Sequence, residues 1–159
     1  GCKFSDQDWT SIRFSDCTFD GCLLSNVKVE HTRLHGVRFS QCKIVGIDFT
    51  KCNGIFFDIN FEESTVISSN FHGMPFIKKS FNGTKFQDCY FTNCKLSGAD
   101  FSHCDLKRSE FDLADLRKCD FRSATNYQID PSSSKITGAR FSFPHVVGLL
   151  NGFDIQIDM

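Results

Sequence analysis

Cys89, Cys94, His103 and Cys104 stand within sixteen residues, in the stretch CYFTNCKLSGADFSHCDL at 89–106. Thiolates and an imidazole are ligands that zinc prefers, and paired thiols are the material of disulfides. Structural zinc, however, needs ligands that converge on one point, from spacings such as C-x2–4-C with a matching second pair. Here Cys89 and Cys94 are five apart, and the chain's nine Cys are an odd number. The five His are scattered, at His31, His35, His72, His103 and His145. No nucleophile, base and orienting carboxylate recur in a recognisable motif, and no glycine-rich phosphate loop is present. The residue types point away from a metal centre, a cofactor site or an enzyme, and the question becomes what else this spacing serves.

The chain has 159 residues, enough for one domain with a substantial core. Its 18 Lys and Arg against 19 Asp and Glu name no nucleic-acid or strongly charged partner. No apolar run approaches the roughly 18 residues of a membrane span, and no basic-then-apolar leader stands at the amino end, so a soluble, cytoplasmic protein is expected. The unusual numbers are 19 Phe, against 2 Tyr and 1 Trp, and the nine Cys.

Both excesses follow from an internal repeat. Every fifth position reads Phe4, Trp9, Phe14, Phe19, Leu24, Val29, Leu34, Phe39, Ile44, Phe49. After a slip of two residues near Asn53, Gly54 and Ile55, the series resumes as Phe56, Phe61, Val66, Phe71, Phe76, Phe81, Phe86, Phe91, Leu96, Phe101, Leu106, Phe111, Leu116, Phe121. A period of five fits neither the 3.6 of a helix nor the 2 of a strand. The chain must turn repeatedly and bring each fifth side chain back to one interior. Two positions before each large residue stands a small one, and all nine Cys, among them Cys89, Cys94, Cys104 and Cys119, occupy that slot beside Ala99, Ser109, Ala114 and Ala124. Each thiol thus points inward into its own layer, where free Cys packs as a small hydrophobe, while His103 lies on the outward lattice. Gly concentrates two places after the large residue, at Gly21, Gly36, Gly46, Gly73, Gly83 and Gly98, where a turn favours permissive dihedrals.

The unit, small, variable, large apolar and two polar residues, resembles the pentapeptide-repeat family, most plainly in Ala99-Asp100-Phe101 and Ala114-Asp115-Leu116. The resemblance covers residues 2 to 124. It implies an all-β, right-handed quadrilateral β-helix, four pentapeptides to a 20-residue square coil, with roughly six coils rising about 30 Å at the spacing of neighbouring strands. Asp100, Asp105, Asp115 and Asp120 then occupy the family's own Asp/Asn position rather than forming catalytic pairs.

In such a coil, residues 20 apart share a face. Opposite charges recur in the columns Asp8–Lys28–Asp48, Lys85–Asp105, Lys95–Asp115 and Asp88–Arg108, each contact worth a few tenths of a kcal/mol; Arg13 over Arg33 breaks the pattern. The doublets Lys107-Arg108 and Arg117-Lys118 fall on opposite faces and make no single phosphate-binding patch. Three places strain the repeat. The slip near 53–55 is expected to bulge as a short surface loop. Met74 and Lys79 enter the small slot, so the face around Pro75 and Lys78 should distort, with Lys79 escaping to water. Gln7 and Trp9 should cap the open end coil. Asn53, Gly54, Met74, Pro75, Lys78 and Lys79 are accordingly the candidate partner-binding loop residues.

The repeat fades after Ala124, dividing a β-helix over 1–124 from a segment over 125–159. Ile136 to Phe141 reads as a last pair of repeats. Ser142 as N-cap, Pro144 in the first turn and Gly152 at the stop predict a helix of about nine residues, and Phe153 to Ile157 alternates like an edge strand. This tail, with Asn126-Tyr127, Ile129-Asp130-Pro131, Ala139-Arg140-Phe141-Ser142, Pro144, Leu149-Leu150 and Ile155, resembles that of family members that protect type II topoisomerases, including quinolone-resistance proteins. The resemblance implies a twofold homodimer through Phe143, Val146, Val147, Leu149, Leu150, Phe153 and Ile155; the other reading of this segment is a lid folded back on the last coil. It also implies a non-catalytic scaffold that binds DNA gyrase or topoisomerase IV by imitating duplex DNA, with no nucleic acid, membrane or cofactor engaged directly. The other reading is an interaction module with an unrelated protein partner.

Overall fold

A computed structural model describes residues 1–158 and forms a right-handed quadrilateral β-helix that ends in a short 3-10 helix. Each five-residue unit makes one side of a square, and each side pairs in parallel with the side 20 residues on. The first face stacks Lys3–Ser5, Leu23–Ser25, Lys43–Val45, Thr65–Ile67 and Lys85–Gln87 in one sheet, continued by bridges from Lys85 to Asp105 and on to Thr125. The second runs through bridges Asp8–Lys28 and Asp48–Asn70–Tyr90–Glu110–Gln128. The third pairs Arg13–Ser15 with Arg33–His35 and continues as Pro75–Lys95–Asp115–Lys135. The fourth stacks Thr18–Asp20, Val37–Ser40 and Ile59–Glu62, then Ser80–Asp100–Asp120–Arg140.

The period of five is set by the corners. Outside the slip, the residue two after the large side chain takes a positive φ along the repeat, by Gly at Gly36 and Gly98 and by other residues at Asp88, His103, Arg108, Leu113 and Lys118. A left-handed residue costs a non-glycine about 1–2 kcal/mol, so these corners persist because the stacked interior over-determines them. At Gly36 a Cβ would lie 2.5 Å from Oδ1 of Asp16, one coil below, so a larger residue there would have to displace the Asp16 carboxylate as well as hold the left-handed φ.

Inside, large side chains stack in columns. Phe71, Phe91 and Phe111 lie ring on ring with centroids 5.1 and 5.0 Å apart, and Phe101, Phe121 and Phe141 do so at 5.0 and 5.2 Å. Neighbouring columns meet edge to face, as Phe86 meets Phe91 at 5.1 Å and 82°. Both arrangements suit the ring quadrupole and are each worth about 0.5–1.5 kcal/mol beyond burial. Phe86, Phe91, Leu96, Phe101, Leu106, Phe111, Leu116 and Phe121 are all buried, as the repeat requires.

Four expectations need correction. First, the two extra residues of the slip widen one coil step to 22, pairing Val37 with Ile59 and Phe39 with Phe61. Turns at Phe49–Lys51 and Gly54–Phe56, held by Asp48 and Asn53 carboxyl and amide oxygens that accept from Thr50 and Ile55 N–H, absorb them. Phe57 takes the interior place expected of Phe56, and Phe56 turns outward. Second, the coil at 72–80 is regular: Met74 is buried in its slot, and Lys79 is held by the Asp58 carboxylate rather than released to water. Third, Gln7 donates only to the nearby Ser5 carbonyl, and the end layer is closed by Trp9 among half-buried Phe4, Phe14 and Phe19. Fourth, the helix spans His145–Phe153 as 3-10, but Ser142 does not cap it; its Oγ accepts from the Ser123 N–H at 2.9 Å. Residues 154–158 form no strand, since no neighbouring backbone edge meets them.

Candidate functional site

Most of the cysteines hold coils together, whereas Cys2, in the end coil, is exposed rather than inward, and the half-buried Cys17 donates only to the nearby Ser15 carbonyl. The Cys94 thiol donates to the Phe71 carbonyl at 2.8 Å, Cys104 to Phe81 at 2.9 Å and Cys119 to Leu96 at 3.0 Å, in each case 23 residues back. Ser64, Ser109 and Ser134 do the same to Phe39, Phe86 and Phe111, and Thr32 does it to Trp9. The small slot therefore asks for more than small volume: it prefers a donor for the carbonyl of the large residue below. Cys as a mere hydrophobe misses this. Burial pushes the thiols of Cys52, Cys89, Cys94, Cys104 and Cys119 up to about 12, which keeps them protonated and unreactive. Cys89, Cys94 and Cys104 enter from different sides of the coil, onto the Val66, Phe71 and Phe81 carbonyls, and His103 is an exposed corner.

What the rod offers a partner is its outside. The second face carries Asp8, Glu30, Asp48, Glu110, Asp112 and Asp130 against Lys28 and Lys51. The third carries Arg13, Arg33, Lys78, Lys95, Arg117, Lys118 and Lys135 against Asp16, Asp58 and Asp115. A formal charge of −1 thus conceals an acidic face beside a basic one. Of the expected ion-paired columns, Asp88–Arg108 closes, bidentate at 2.5 and 2.7 Å. Asp115 and Asp120 bond instead to Arg117 and Arg122 two residues along, and those guanidinium hydrogen bonds hold both carboxyls below the usual range. Lys85 and Lys95 are exposed and form no ion pair among the described residues.

The slip displays apolar groups that the repeat hides elsewhere. Ile55 is 87% exposed and Phe56 40%, and the Arg33 guanidinium lies over the Phe56 ring, 4.6 Å from its centroid. Of the expected loop residues, Gly54, Pro75 and Lys78 are exposed, Asn53 and Lys79 half-buried and Met74 buried. Ile55 and Phe56 were not among them. Their signal is present in the sequence, two apolar residues at a break in register, but it is masked by the adjacent Phe57.

The tail lies against the last coil. Gly148 sits on Tyr127, with room for a Cβ only 3.3 Å from the Tyr127 carbonyl oxygen, and Val146, Val147 and Leu149 are half-buried. Phe143, Leu150, Phe153 and Ile155 face outward. Between tail and body runs a polar cleft lined by Glu110, Asp112, Asp130 and Asn151. Among the described residues no helix is long and apolar enough to cross a membrane.

Five-residue sides, inward small and large positions and stacked parallel rungs define a β-solenoid of square section. Family models for a pentapeptide repeat region and for pentapeptide repeats match residues 1–71 and 84–122. The chain belongs to the pentapeptide-repeat family. Similar solved structures include trypsin-treated QnrB1, a plasmid-mediated fluoroquinolone resistance protein, at 18% identity and TM-score 0.43, covering 99% of this chain and 86% of that one. HetL, involved in heterocyst differentiation regulation in the cyanobacterium Nostoc, is 13% identical with TM-score 0.23, covering 86% of each chain. Rfr23 from the cyanobacterium Cyanothece is 10% identical with TM-score 0.32, covering 89% of this chain and 85% of the other. No curated protein matches the sequence significantly.

Proposed function

We propose that the protein is a non-catalytic scaffold that binds a type II topoisomerase, DNA gyrase or topoisomerase IV, in the cytoplasm, as a twofold dimer formed through its tail. The observation that carries this reading is the acidic second face. Its carboxylates Asp8, Asp48 and Glu110 stand at rung positions along a rigid rod, which can present anionic charge where a topoisomerase expects duplex phosphates. The commitment of Cys and Ser side chains to interior carbonyls fits a binding role rather than a reaction. The tail's likeness to topoisomerase-protecting members supplies the particular partner. The test is gyrase supercoiling and its quinolone inhibition with and without the purified protein, repeated with Asp48→Asn and Glu110→Gln. Drug inhibition relieved by the protein, and less so by the amide variants, is the expected result. Absence of both binding and any change in drug sensitivity would reject it. The second reading, an interaction module for another protein, is favoured by the basic third face, which duplex DNA does not possess.

A further inference from the structure

Arg13 and Arg33 occupy consecutive rungs in direct register on the third face. Like charges opposite one another on paired strands are destabilising, and neither guanidinium has a carboxylate within ion-pairing reach among the described residues. With Ser15, His35 and the Phe56 ring they line an open cleft of about 340 Å³. Ile55, the most exposed large apolar side chain described, projects from the same turn. Two unpaired arginines and an aromatic ring therefore share one cleft, the ring placed there by the two-residue slip, with the exposed Ile55 next to that ring in the chain.

We infer that this cleft docks an acidic segment of a partner protein, carboxylates on Arg13 and Arg33 and an apolar side chain against Ile55 and Phe56. The guanidinium fork matches carboxylate geometry, and occupancy relieves the repulsion between the two rungs. A nucleic acid would use the arginines too, but its bases bind by stacking on open aromatic faces, and one ring face of Phe56 is already covered by Arg33. Aromatic and arginine side chains beside an aliphatic contact are the composition of protein-binding hot spots. The cleft lies on a different face from the acidic rungs, so this site stands or falls apart from topoisomerase binding.

A short fluorescein-labelled peptide of alternating Glu and Leu, and an oligothymidine of matched charge, probe it by fluorescence anisotropy at low salt. The peptide should bind the full chain, and Arg13→Glu with Arg33→Glu should weaken it about tenfold or more. Lys118→Glu with Lys135→Glu, at the far end of the same face, should weaken it far less. Phe56→Ser should also weaken the peptide while leaving the oligothymidine unchanged. Where the double arginine variant does not fold, Arg13→Glu alone, at an exposed side chain, gives the same reading. Absence of peptide binding, equal losses from the two charge reversals, or tighter binding of the oligothymidine through the same arginines would each overturn the inference.

Discussion

The Lys79 ammonium is paired with the Asp58 carboxylate, 21 residues earlier and at the trailing edge of the register slip. Lys79 stands in the small interior slot that Ala99 and Cys119 fill in the coils above. A cation there is tolerated because the widened coil below carries Asp58 to meet it. The two departures from the repeat thus offset one another.

This pairing predicts an asymmetry. Asp58→Asn leaves the half-buried ammonium without its counter-charge and should destabilise by about 1 kcal/mol, a figure reduced because both side chains keep partial solvent access. Lys79→Ala restores the ordinary slot residue and should cost less. The double substitution Asp58→Asn with Lys79→Ala should recover most of the loss. Urea unfolding of the four proteins measures the coupling; additive losses would show that the two residues act independently.

Hydrogen bonding by the small slot separates two accounts of the cysteines. Cys94→Ala keeps the volume small but removes the donor to the Phe71 carbonyl, and should cost about 1 kcal/mol; Cys94→Ser retains the donor and should cost about half that or less. Equal effects would return the thiols to simple packing. The same residues set an alkaline limit. Burial raises the folded thiols of Cys89, Cys94 and Cys104 from 9.0 to about 12. Between those values the unfolded chain loses protons that the folded one keeps, so stability is complete below about pH 9 and declines as pH rises toward 12. Thermal unfolding midpoints across that range, in the protein and in a Cys89→Ser, Cys94→Ser and Cys104→Ser variant, test it: the variant should show the shallower decline.

Much of this was legible in the sequence, because a period of five repeated over two dozen units leaves little freedom: Phe86 through Phe121 and the inward Cys follow from spacing alone. The failures have physical causes. Phe56 and Phe57 are identical and adjacent, so composition could not choose which turned inward. Asp58 and Lys79 meet only in three dimensions. Asp115 has Lys95 and Lys135 as rung neighbours, yet it bonds Arg117 on its own strand, whose planar fork reaches both oxygens. Net charge, being a sum, erased the contrast between faces. The expected strand at 153–157 alternates correctly but has no edge to join.

Thr84 is the exception within the slot. It occupies the position where Ser64, Cys104 and Cys42 find partners, yet its buried Oγ1 has no hydrogen bond among the described residues. Thr84→Val keeps the branched shape and removes the unpaired hydroxyl, so it should stabilise by about 1 kcal/mol. A destabilised Thr84→Val protein in urea would mean that the hydroxyl has a partner after all.

The tail carries the last prediction. Val146, Val147 and Leu149 are half-buried against the final coil, while Leu150 and Phe153 on the 3-10 segment, and Phe143 and Ile155 beside it, remain exposed. Phe143 is 79% exposed and Phe153 51%, which is expensive hydration for large rings on one short stretch. In the proposed dimer a second copy of the same surface would cover them by a closed twofold, and an isologous contact needs no further partner. Leu150→Asp with Phe153→Asp should convert a dimer to a monomer in light scattering. Its urea midpoint, read at a concentration where the parent is also monomeric, should not change, since neither side chain packs in the β-helix. A parent chain that is monomeric at high concentration would contradict the assembly. A variant that loses the β-helix signal along with the dimer would show instead that the tail is a lid required by the last coil.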